Sequence, residues 1–193
     1  MRRSAPVLIA LVAVLTRAFI FGNPLLFRIR TGEPHDDFIV FQEHEVLDRE
    51  LAKIKSSIPD KDYLRYRNHC LRVLTFSNYF LSDKIPHRET VMNIIAMALA
   101  YHDVALWTDG ELNYLEPSVK QMEKNVDREE FLDSQIKLAR EIIMEHHKIT
   151  SYNTGHPTTD EIVNAVRKAD WADATMGIIR FGLPAALLEA AYD

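Results

Sequence analysis

Apolar residues recur along this chain at intervals of three and four, the period of helices that bury one face. Val46, Leu47, Leu51 and Ile54 share such a face and predict a helix over about Glu43–Ser56. Behind Asp60, expected as its N-cap, a second helix runs over about Lys61–Leu81. A third covers about Arg88–Leu106, with Val91, Ile94, Ile95, Ala98 and Leu99 on its stripe. Pro117 suits the first turn of a short helix. Asp127 with Glu130, and Thr158 with Glu161, have the spacing at which a capping side chain and an acid three residues on satisfy each other's backbone donors. They predict helices to about Lys148 and about Ala174, before Gly177, Gly182 and Pro184 break the pattern. No stretch alternates long enough to suggest a sheet, so the expected fold class is all-α.

Four of these helices carry ionisable groups on or beside the apolar stripe. His102 continues the third stripe, three residues after Leu99 and four after Ala98, and Asp103 follows it. His69 lies amid Leu64, Tyr66, Val73 and Phe76. His146 and His147 follow Ile142 and Ile143, and Asp170 follows Val163 and Val166. Burying such groups unpaired is costly. A divalent cation reached by all of them would compensate the carboxylates and use the imidazole lone pairs.

Composition narrows the field. The 193 residues are 47% hydrophobic and 26% charged, which suits one domain with a sizeable core. A net charge of -5 without any basic block gives no footprint for a nucleic acid polymer. The single cysteine, Cys70, cannot form an internal disulfide and is expected to serve packing. The first thirty residues differ from the rest: they hold Arg2, Arg3, Arg17, Arg28 and Arg30 and no acid. With the apolar run Val7–Leu15 they read as an export signal or a membrane-associated segment, and otherwise as an apolar helix packed on the domain. Arg17 in the middle of a span would cost about 2.5 to 3.5 kcal/mol on insertion scales. The expected division is residues 1–30 as this segment, with an apolar helix over about 1–27, and 31–193 as the functional domain. The expected location is membrane-associated or exported, with cytoplasmic as the alternative.

The ionisable residues resemble the signature of the HD-domain superfamily of metal-dependent phosphohydrolases, a His, an adjacent His-Asp pair and a distant Asp. Here these are His69 in "RNHCLRV", His102 and Asp103 in "AYHDVALW", and Asp170 in "RKADWADA", spaced by 33 and 67 residues. The resemblance covers about residues 60–176. It implies a helical bundle in which His69, His102, Asp103 and Asp170 hold a divalent cation (Mn, Fe, Co, Ni, Zn or Mg), with Asp103 also orienting the attacking water. "EHHKI" resembles the extra histidines of binuclear members, making His146 and His147 candidates for a second cation or for support of the first. The chain has no histidine from 104 to 145, where such members commonly supply another, and Glu116 in "YLEPS" is an oxygen donor available there. Arg72 and Lys148 are candidates for binding substrate phosphate, and Asp173 for orienting a ligand or forming a helix ion pair. Trp107, Tyr114 and Trp171 flank the motifs, as pocket walls or core. The implied activity is hydrolysis of a small phosphate ester, such as a nucleotide. The alternatives are a diiron oxygenase, as in some relatives with this fold, and a non-catalytic metal-binding sensor.

Overall fold

A computed structural model describes residues 38–109 and 113–193. The helix expected over residues 1–27, and Gly110 in the loop after the third helix, lie outside the described residues. The fold is all-α, with no strand among the described residues. In chain order the helices are α1 (Glu45–Ile54), a 3₁₀ turn at Lys55–Ser57, α2 (Asp60–Phe80), α3 (Arg88–Tyr101), α4 (Ala105–Thr108), α5 (Leu115–Asn125), α6 (Asp133–Glu145), α7 (Pro157–Ala174) and α8 (Ala185–Tyr192).

At the centre is α3, which touches α1, α2, α5 and α6, while α2 packs along α7. The stripe read from the sequence is wider than expected: Val91, Met92 and every residue from Ile94 to Tyr101 are buried. A helix that is apolar nearly all round belongs inside. The segment Arg88–Thr108 is long and apolar enough to cross a membrane, and most of it is buried within the bundle. Glu50 joins Leu47 and Leu51 on the inner face of α1 with no exposed surface. It is satisfied by Tyr101 Oη (3.0 Å) and by Lys53 Nζ (2.8 and 2.9 Å).

Several boundaries differ from the sequence reading. Asp60 is the first residue of α2 rather than its cap, and no side chain caps that end. Asp127 does not open α6; its Oδ1 accepts the Glu129 N–H (2.9 Å) in a turn. The helix starts at Asp133, where the Leu132 N–H donates to Gln135 Oε1 (2.9 Å). In α7 the returning acid is Asp160, which accepts from the Thr154 N–H (2.9 Å) and hydroxyl (2.7 Å), while Glu161 reaches across to the Ser82 N–H (2.7 Å).

The helix α8 was not expected at all. At eight residues it is too short to be stable alone, so packing decides it. Leu187 and Leu188 are buried. Gly177, at φ +77°, lets the preceding loop close on α8: a Cβ there would lie 2.9 Å from Leu188 Cδ1.

Candidate metal centre

The His-Asp pair sits where the third helix breaks. The sequence predicts continuous helix to Leu106, but α3 ends at Tyr101 and a turn at residues 102–104 leads into α4. The Leu99 carbonyl, the regular acceptor for the Asp103 N–H, instead accepts from His102 Nδ1 (2.7 Å), Tyr66 Oη (3.1 Å) and Cys70 Sγ (3.2 Å). The Asp103 N–H donates to Tyr66 Oη (3.3 Å), and the Val104 N–H to Tyr101 O, three residues back (3.1 Å). Buried side chains thus replace the helical ladder, and the tightened turn projects both His102 and Asp103 into the core.

Hydrogen bonding also fixes which imidazole nitrogen faces inward. His102 Nδ1 lies 2.7 Å from Leu99 O, and His146, at the end of α6, repeats the device with Ile143 O (2.7 Å). Carbonyl oxygens only accept, so both rings carry a proton on Nδ1. In α2, His69 Nδ1 donates to Asp173 Oδ2 (2.6 Å). All three rings therefore turn Nε2 into the core. His69 Nε2 and His102 Nε2 are 3.1 Å apart, and Asp170 Oδ1 lies 3.5 and 3.8 Å from them. Asp103 Oδ2 is 3.4 Å from His102 Nε2, and its Oδ1 is 3.4 Å from His146 Nε2.

Two overlapping donor groups result, His69–His102–Asp170 and His102–Asp103–His146, each with its donor atoms within 4.8 Å of one another and each able to hold a metal ion. Both oxygens of Asp103, and Oδ1 of Asp170, are buried without a hydrogen-bond partner. An uncompensated buried charge costs several kcal/mol, more than an ordinary hydrogen bond could return. Facing imidazole lone pairs beside bare carboxylate oxygens form a donor set that fits a divalent cation.

The titration behaviour follows from burial and from this crowding. Burial pushes His102 down to about 3, with His146 and His69 adding to the effect and Asp103 opposing it. Burial also raises Asp170, and the carboxylates of Asp103 and Asp173 help to lift it to about 6. For His146 burial would lower the value, but the adjacent Asp103 and Asp170 outweigh it and raise it to about 9. Burial would raise Asp103, yet the surrounding imidazoles hold it below the usual carboxylate range. A cluster that draws protons to His146 and Asp170 is one that attracts positive charge.

The structure brings together His69, His102, Asp103, Asp170 and His146. His147 is buried beside them and pushed down to about 3 by burial, but its Nδ1 faces Tyr114 Oη (3.3 Å) and it belongs to neither donor group. Glu116 does not join: both its oxygens are held by Arg140 at the surface (2.9 and 3.0 Å). Arg72 is engaged by Asp173 at its Nε (2.6 Å) and Nη2 (3.1 Å). Lys148 is half-exposed and paired with Glu145 (2.5 Å). Tyr114 is buried in the core beside Ala105 and Leu106.

Two contributors escaped the sequence reading. Arg167, buried and next to Val166 on the α7 stripe, donates to the Lys148 and Ile149 carbonyls (3.1 and 2.9 Å) and ties down the chain after His147. Its place on an apolar stripe was the available signal. Tyr192, whose hydroxyl donates to Asp173 Oδ1 (2.8 Å), has no such signal. Comparisons with protein-family models, with curated proteins and with solved structures give no match.

Proposed function

We propose that this protein is a metal-dependent phosphohydrolase with an HD-type helical bundle, acting on a small phosphate ester such as a nucleotide. The observation that supports it is the convergence of three Nε2 atoms on the unpartnered oxygens of Asp103 and Asp170. His69, His102 and Asp170 would hold the cation together with Asp103. A bound divalent cation supplies a water of lowered pKa and polarises the phosphoryl group. Asp103, with one oxygen toward His102 and the other toward His146, would orient the attacking water and accept its hydrogen bond. Lys148, at the end of α6 beside the double histidine, is the remaining candidate for contact with phosphate.

A second reading is the diiron oxygenase, favoured by one observation: His146 Nε2 completes a second donor group around Asp103. Metal identity and stoichiometry separate the two. Elemental analysis of protein purified without chelator should give one or two bound ions per chain. Two irons with oxygen consumption would favour the oxygenase.

For the hydrolase, chelator-stripped protein resupplied with manganese, iron, cobalt, nickel, zinc or magnesium should release phosphate or phosphomonoester from a panel of mononucleotides, cyclic nucleotides and an aryl phosphate. Asp103→Ala should lower the rate by on the order of 10³ or more. No metal-restored release across the panel, or full activity in Asp103→Ala, overturns the reading.

A further inference from the structure

The carboxylate that orients His69 is itself held from the far end of the chain. Asp173 has no exposed surface. Its Oδ2 accepts from His69 Nδ1 (2.6 Å) and Arg72 Nη2 (3.1 Å), while its Oδ1 accepts from Arg72 Nε (2.6 Å) and from Tyr192 Oη (2.8 Å). Tyr192 ends α8, and its ring also lies under the Arg72 guanidinium at 4.6 Å. About two-fifths of Tyr192 remains exposed, so burial of its ring is not its main contribution. The inward-facing atom is the hydroxyl.

We propose that Arg72 and Tyr192 are positioning residues for the metal centre: acting through Asp173 they fix the His69 ring, so that seating of α8 sets the affinity of the site for a cation. This rests on the metal-site reading above. A carboxylate bonded to the outer nitrogen of a ligating imidazole sets ring orientation and raises ligand basicity, and losing such a partner lowers metal affinity about 10- to 100-fold. Four donors leave the Asp173 carboxylate a single orientation. Removing the tyrosine hydroxyl leaves Oδ1 with Arg72 Nε as its one remaining donor, which loosens the carboxylate and with it the His69 ring.

The test is cobalt(II) titration of the full chain against a competing chelator, with the visible spectrum recorded. Tyr192→Phe, which keeps the ring over Arg72, should bind cobalt about 10-fold more weakly and shift the ligand-field band, with unchanged far-ultraviolet circular dichroism. Asp173→Ala should lose about 100-fold. Tyr152→Phe, which removes a comparable tyrosine–carboxylate bond (to Glu141, 2.9 Å) away from the cluster, should leave affinity and band unchanged. If Tyr192→Phe loses helical signal, Arg72→Lys answers the same question, since it keeps the charge and loses the paired bonds. Wild-type affinity and band in Tyr192→Phe, or an equal loss in Tyr152→Phe, overturns the inference alone. Wild-type protein that takes up no cobalt overturns the metal-site reading and this inference with it.

Discussion

Asp173 stays charged although fully buried because its partners are charged and fixed. Burial would raise its pKa, but Arg72 and His69 hold it below the ordinary value of 3.8, while His69 is raised above its ordinary 6.5 against the pull of burial. The signs differ. The Asp173 contribution to stability is complete above 3.8 and is lost as pH falls through its lower folded value. The His69 contribution is complete below 6.5 and is lost as pH rises through its raised value. In chelator-stripped protein, Asp173→Asn should therefore cost about 3 to 5 kcal/mol near pH 6, by removing the carboxylate that pairs with the buried Arg72, and less near pH 2.5, below the ordinary carboxylate value, where part of that contribution is already lost. Denaturant unfolding at the two pH values measures this, and an equal deficit at both would contradict it. His69, His102, Asp103 and Asp170 could be read in the sequence because an ionisable residue on an apolar stripe stands out. The pairing of Arg72 with Asp173 could not be read, because that partner is 101 residues away on another helix. The pairing of Glu116 with Arg140 could not be read either, because nothing in the sequence around Glu116 announces it.

Element boundaries carry the site as much as its residues do. The helices were legible where apolar spacing is long, as in α1, α2, α3 and α7. Their ends were not, because side chains from other helices set them. Tyr66 on α2 terminates α3 by taking the Leu99 and Ala100 carbonyls and the Asp103 N–H, and no local pattern in residues 99–104 encodes that. Tyr66→Phe would leave the buried Asp103 N–H and Ala100 carbonyl without this partner. A loss of about 1 to 3 kcal/mol is expected from chemical denaturation with an unchanged denaturant slope. A loss under about 0.5 kcal/mol would mean that regular helix re-forms through residue 103, and that the break belongs to the apolar packing rather than to the hydroxyl. The helix α8 was illegible for the opposite reason, since eight residues give little periodicity and its Leu187 and Leu188 read as scattered apolar positions.

At the scale of the molecule, one main core joins the described helices. It runs from Val46 on α1 to Leu188 on α8, and Phe38, Val40 and Phe41 pack against it. The longest apolar helical stretch, Arg88–Thr108, is mostly enclosed by the bundle. The first thirty residues, with five arginines and no acid, have the charge that suits contact with an anionic surface. A chain starting at residue 38 should remain helical, melt cooperatively within a few degrees of the full chain and bind cobalt with the same affinity. The full chain should sediment with anionic phosphatidylglycerol vesicles and lose that association in high salt and detergent, whereas the shortened chain should stay in the supernatant. Aggregation of the shortened chain with loss of helical signal would instead place residues 7–21 in the core. Equal sedimentation of both chains would move the membrane contact to the bundle itself, where Met176, Ile178, Ile179 and Phe181 are the exposed apolar residues of one loop.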